Sequence, residues 1–349
     1  MADATATTAP AMAATLRRLA PGVALSALVA VVAVVGAPWI ARVVTIPAMV
    51  LALLIGVALN PLAARPAFAP GLLFCVKQLL RWAVALLGLR IALGDIAALG
   101  LGTGVVVVVS MAATVLAGFL VARAFGLPAP YGALAGVGTA VCGASATLAT
   151  SAVLPDYRGK EVDVVFVVVA VNALATVAMV IYPPLCVGLG LDGRTTGVLL
   201  GATIHDVAQV VGAGYAVSDV AGNAAVIVKL FRVFLLLPVV LAVGWWFARK
   251  GAAANASRVP VPVFAFVFLA LCVVNSVLPS WSAAAPLYAA VKGVLVEAST
   301  DGLLIAIGAL GLGTSLGAIG NLGWRHIATV GATTLVILAV VTAGLVLLG

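Results

Sequence analysis

YGALAGVGTAVCGASATLATSAVL, from Tyr131 to Leu154, is hydrophobic enough to lie in a bilayer, yet its middle holds Gly136, Gly138, Thr139, Cys142, Gly143 and Ser145. A plain membrane helix has no need of such a centre, because small residues pack weakly and glycine tolerates non-helical backbone. Helices interrupted at mid-membrane expose backbone N–H and C=O groups, and their half-helix N-termini favour anions. The stretch predicts a broken helix in a carrier of a small anion. Close helix packing is the competing use of the same residues.

The rest of the chain agrees with a membrane setting. Of its 349 residues, 65% are hydrophobic and 8% charged, and the mean hydropathy is +1.31. So few charges cannot cover a water-soluble surface of that size. Apolar runs recur that are long enough to cross a hydrocarbon core of about 30 Å, without the alternation of a β-barrel. The fold class is therefore all-α and polytopic. The net charge of +8 is scattered singly between apolar runs, which argues against a nucleic-acid partner. Cys75, Cys142, Cys186 and Cys272 lie far apart and offer neither a metal site nor a disulfide framework.

Eleven spans are expected, near residues 22–39, 45–60, 77–94, 103–125, 130–154, 162–190, 195–217, 222–248, 260–279, 287–320 and 326–348. Residues 1–20 read as a cytoplasmic tail and 21–43 as an additional first helix. Of the Lys and Arg in the connections, nine lie on the side of the N-terminus and four, at Arg42, Arg90, Arg158 and Lys160, on the other. This places the N-terminus in the cytoplasm and the C-terminus in the periplasm of a bacterial inner membrane. The ten remaining spans divide into five-helix halves, 44–192 and 193–349, inverted relative to one another. Lys77 and Arg81 in the first half correspond to Lys229 and Arg232 in the second, and Gly138, Gly143 and Ser145 to Gly311, Gly313 and Ser315. That pairing predicts two discontinuous crossing helices, 130–154 and 287–320. A rival echo, LGLRIALGDIAALG at 87–100 against LGLGTSLGAIGNLG at 310–323, pairs different spans.

Five stretches together carry a resemblance: KQLLRWAVALLGLRI at 77–91, GTAVCGASATLAT at 138–150, GATIHDVAQVVGAGYAVS at 201–218, NAAVIVKLFRVFLLLP at 223–238, and Asp301 to Leu316 with GALGLGTSL. In this order and spacing the chain resembles the YeiH-like family of sulfate exporters, formerly classed as an uncharacterised conserved membrane family, over almost its whole length. The resemblance implies a relative of the five-plus-five inverted-repeat transporters, which include bile-acid/sodium and sodium/proton types. One departure is His205-Asp206, where the family commonly has His-Glu.

An ionisable group within a span costs about 2.5–3.5 kcal/mol on insertion scales and is a functional candidate by default. Arg81 and Arg232 are candidate anion ligands; Lys77 and Lys229 read as side chains that snorkel to the interface. Thr139, Cys142, Gly143, Ala144 and Ser145 at the first break, with Gly313, Thr314 and Ser315 at the second, form the expected substrate site. His205, Asp206, Gln209, Glu297 and Asp301 are candidates for proton or sodium coupling. Cys142 in an apolar setting is a poor nucleophile. No catalytic residue, metal or organic cofactor is expected.

These residues predict an ion-coupled secondary transporter that exports sulfate or a related small anion by alternating access. A cation/proton antiporter using Asp206 and Asp301 is the alternative, and an intramembrane enzyme with Cys142 or Ser145 and His205 is the remoter one. The expected partners are the anion and the bilayer, with a homodimer through the first span left open.

Overall fold

The computed structural model describes residues 8–42, 47–249, 262–281, 285–314 and 323–348, and every regular element among them is helical. α1 (Thr8–Ile40), α2 (Ala48–Ala58) and α3 (Asn60–Ala63) precede α4 (Ala69–Phe74), a π-helical turn at Cys75–Leu79, α5 (Leu80–Leu86) and a 3-10 turn at Leu87–Arg90. Next come α6 (Leu93–Ala98), α7 (Gly100–Ala124), α8 (Ala129–Ala140), α9 (Ala144–Val153) and α10 (Lys160–Gly188). The chain continues with α11 (Gly193–Thr203), α12 (Val207–Val217), α13 (Asp219–Phe234), α14 (Leu236–Arg249), α15 (Val263–Val277), α16 (Ala285–Gly313) and α17 (Trp324–Leu348). Among the described residues, 7 helical stretches are long and apolar enough to cross a membrane, and four shorter apolar helices accompany them. With all backbone hydrogen bonds made within helices, such stretches are stable in lipid. The protein is a polytopic helical membrane protein.

Two compact units are present, and each draws on both halves of the sequence: Met1–Arg90 with Val267–Ser315, and Ile91–Phe266 with Leu316–Gly349. In the first, α1, α2 and the helices around Cys75 pack on α16 through Val29, Ala33, Ala52, Cys75 and Ala309. α16 runs unbroken to Gly313. The expected interruption of this span is therefore not found among its described residues, which end at Thr314; Ser315 lies outside them. Its glycines serve packing instead, since a Cβ on Gly311 would lie 3.0 Å from the Cα of Gly56.

The second unit holds the two breaks that meet at the candidate site. α7 lies close against α8 because a Cβ on Gly118 would fall 2.7 Å from the Cα of Gly136, closer than real side chains come. α17 joins this pair: the Tyr131 hydroxyl donates to the His326 carbonyl (2.9 Å), and Asp163 of α10 accepts from the Tyr157 hydroxyl (2.9 Å) while facing His326 Nε2 at 3.4 Å. α8 ends where Val141 leaves helical geometry, and Gly143 sits at φ +63°, ψ −122° before α9 begins. Only glycine adopts that conformation freely. This is the break expected in 130–154. The second break lies inside the span expected at 195–217, where Ile204 (ψ 136°) and Asp206 (ψ 149°) are extended between α11 and α12.

Candidate functional site

A half-helix that ends inside a membrane protein leaves its last carbonyls without intrahelical donors and carries about half a negative charge there. The ends of α8 and α11 both face this cost. α13 meets it with two side chains one turn apart, Lys229 and Arg232, both fully buried. Lys229 Nζ donates to the carbonyls of Val141 (2.7 Å), Ile204 (3.0 Å) and His205. Arg232 donates from Nε to Ala140 (2.9 Å), from Nη1 to Gly201 (2.9 Å) and Ile204 (3.1 Å), and from Nη2 to Thr139 (2.9 Å). One helix face thus clamps two half-helix C-termini. Neither cation has an ion pair with a carboxylate among the described residues. Their counter-charge is the carbonyl array.

With the C-terminal ends satisfied, the N-terminal end of α9, which has no side-chain cap, is the open pole, whereas that of α12 is capped. Asp206, partly buried, caps α12 by accepting from the Ala208 N–H (2.8 Å). A Cβ on Gly143 would lie 3.7 Å from the His205 carbonyl and 3.8 Å from Asn172 Oδ1, so the two breaks and α10 meet at this glycine. Ser145 in the first turn of α9 is exposed and Ala144 partly so, whereas Cys142 and Gly143 are buried.

α17 supports the crossing from another side. Thr139 Oγ1 and Thr333 Oγ1 are 2.9 Å apart, and His205 Nε2 lies 3.0 Å from Thr334 Oγ1. The Thr334 hydroxyl also lies 2.9 Å from the Val330 carbonyl, and the His205 tautomer sets which ring nitrogen carries the proton. His205 Nδ1 is buried without a partner, and so is Gln209 Oε1, whose amide nitrogen donates to Thr176 Oγ1 at 3.3 Å. Buried polar atoms are normally paired. These two buried, unpartnered side-chain atoms lie on either side of Asp206 in sequence.

The structure therefore brings together Thr139, Cys142, Gly143, Ala144, Ser145, His205, Asp206, Gln209 and Arg232. Arg81, Glu297 and Asp301 are exposed residues of the other unit, as is Gly313; Thr314 of that unit donates its hydroxyl to the Leu310 carbonyl (2.8 Å). Arg232 was expected to hold an anion, but its donors go to main-chain carbonyls. Lys229 was expected to snorkel and is instead fully buried at the crossing. The sequence reading left out Thr333, Thr334 and Thr176 altogether. Asp206-Val207-Ala208-Gln209 was a usable signal for the second break, because an N-cap residue followed three positions later by Gln is the pattern of a helix start. The four cysteines are free and buried.

A helical membrane protein with paired half-helix breaks clamped by buried cations defines the class. The chain matches the family described as Conserved hypothetical protein 698 over residues 21–330 and belongs to it. It is 43% identical over 335 residues to the UPF0324 membrane protein TauZ of Paracoccus pantotrophus, covering 94% of this chain and 95% of the relative. It is 39% identical over 332 residues to the UPF0324 membrane protein RB0971 of Rhizobium meliloti (94% and 93% covered). The UPF0324 inner membrane protein YeiH of Salmonella typhi is 35% identical over 321 residues, 88% of each chain. No solved structure matches the chain.

Proposed function

We propose that the chain is an ion-coupled secondary transporter that exports sulfate or a related small anion across the bacterial inner membrane by alternating access. One observation carries this reading: the C-terminal ends of α8 and α11 are satisfied by Lys229 and Arg232 and the N-terminal end of α12 by Asp206, which leaves the N-terminal end of α9 as the one positive pole of the crossing without a side-chain cap. Open helix N-termini with exposed N–H groups bind anions. The Ser145 hydroxyl and the first N–H groups of α9 are the proposed anion ligands, and Cys142 and Gly143 shape their approach.

His205, Asp206 and Gln209 are the proposed coupling group, with His205 Nδ1 taking a proton or Gln209 Oε1 contributing to a sodium site. Arg81, Glu297, Asp301, Gly313 and Thr314 belong to the other unit and form no part of this proposed group. The proposed architecture is an inverted repeat of five helices each, 44–192 and 193–349, within eleven spans. The breaks qualify that scheme. They fall late in the first half and early in the second, so spans five and seven, rather than five and ten, form the proposed crossing pair. The inner-membrane location agrees with the name of the Salmonella typhi relative, an inner membrane protein, and the cytoplasmic N-terminus rests on the Lys and Arg distribution.

The cation/proton antiporter is the second reading, favoured by the two buried, unpartnered side-chain atoms, His205 Nδ1 and Gln209 Oε1, on either side of Asp206 in sequence. An enzyme is not proposed, because His205 Nε2 engages Thr334 rather than Cys142 or Ser145. The deciding experiment is uptake of radiolabelled sulfate into proteoliposomes under an imposed pH gradient. Gradient-dependent flux lost in Ser145→Leu and Asp206→Asn supports the anion carrier. A proton or sodium current abolished by Asp206→Asn without sulfate flux replaces it with the antiporter.

A further inference from the structure

A cleft of about 830 Å³ lies on the second unit between α7 and α14, away from the crossing. Its walls are apolar side chains, among them Met111, Val115 and Phe119 of α7 and Val239 and Trp246 of α14. Leu235 and Pro238 also line it. Pro238 has no N–H to offer the Phe234 carbonyl, and the helix is interrupted at Leu235. Along α7 the lining runs from Val108 to Arg123, roughly 22 Å at about 1.5 Å per residue. That exceeds one leaflet of the bilayer, about 15 Å of hydrocarbon.

The two ends of the cleft differ. Phe119 and Trp246 rings meet at 4.9 Å, so α7 and α14 finish side by side. Here Arg123 lines the cleft, exposed and without a side-chain hydrogen bond or ion pair among the described residues. Beside it α14 ends in Trp245 and Arg249, whose guanidinium lies 4.3 Å from the Trp245 ring centre. Tryptophan and arginine at a helix end mark the headgroup level of a membrane. An apolar slot of leaflet depth therefore opens at headgroup level on an unpaired cation.

We propose that this cleft is a binding site for an anionic phospholipid, with an acyl chain between α7 and α14 and the headgroup phosphate on Arg123. Apolar burial alone would accept any lipid; the cation supplies the selectivity. The interaction of one Arg with an anionic surface is worth about a fivefold preference.

The test uses the full chain in neutral detergent, titrated with phosphatidylglycerol or phosphatidylcholine of identical acyl chains, and reads bound lipid by native mass spectrometry together with Tm. Wild type should hold phosphatidylglycerol about fivefold more tightly than phosphatidylcholine and show the larger Tm rise. Arg123→Gln should remove the difference, Arg123→Lys should keep most of it, and Ala242→Phe, which fills the slot, should weaken both lipids. Arg123 is exposed, so its variants keep the fold. Equal binding of the two lipids by wild type, an unchanged preference in Arg123→Gln, tighter binding of a free fatty acid, or a dimer cross-linked through Leu116→Cys that excludes lipid would each overturn the proposal. Transport is not among the readouts, so the outcome is independent of the function proposed above.

Discussion

Lys229 and Arg232 answer a shortage of donors that the two breaks create. Lys229→Met removes the donors to three buried carbonyls, and at about 1–3 kcal/mol for each unsatisfied group the loss is several kcal/mol. The expected outcome is a markedly lower Tm in detergent and faster maleimide labelling of Cys142, which the wild type keeps buried. Gly143→Ala acts differently. Its Cβ would meet only ordinary contacts from 3.6 Å outward, so the cost comes from φ +63°, of order 1–3 kcal/mol. A matching Tm loss without new Cys142 labelling would distinguish strain from an unclamped crossing. Both charged side chains were visible in the sequence, but their role was not. Their partners are main-chain carbonyls 24 to 93 residues away, and a carbonyl has no letter in a sequence.

At the level of elements, glycine content located the first break and misplaced the second. Gly138 and Gly143 flank a real interruption, whereas Gly308 and Gly311 of α16 let helices of its own unit approach. The second break contains no glycine: Ile204 and Asp206 are extended on either side of His205, and the Asp206 carboxylate does the capping that makes the interruption tolerable. Charge in a span attracted a chemical reading where a helix-start reading was also due. A second cap has a pH consequence. Asp192 accepts from the N–H groups of Arg194 and Thr195 at the start of α11, and bonds to Thr195 hold its carboxyl below the ordinary value of 3.8. The cap is intact above that value and is lost as pH falls through the lowered one. Asp192→Ala should cost about 0.5–2 kcal/mol at neutral pH and remove this acid-dependent part of a Tm–pH profile.

For the molecule as a whole, the helical membrane class was evident from hydropathy alone, because 8% charge leaves no other solvent. The unit boundaries were not, since each unit joins segments from both ends of the chain and hydropathy carries no information on which spans touch. Function is tested at this scale. Ser145→Leu and Asp206→Asn are expected to lower sulfate flux at least about tenfold, a loss of about 1.4 kcal/mol of transition-state stabilisation, with Tm nearly unchanged. Lys229→Met should lower flux and Tm together. Flux lost in all three with parallel loss of Tm would show only damaged folding.

The clamp also has a history in time. Val141 is made 88 residues before the Lys229 that satisfies its carbonyl. At about 5–20 residues per second, the ribosome needs roughly 4–18 s to cover that interval. Until α13 is made, the terminal carbonyls of the first half-helix lack these donors, and each one left unsatisfied in hydrocarbon would cost several kcal/mol. Order of synthesis thus sets when the crossing can close: α13, the later element, completes it.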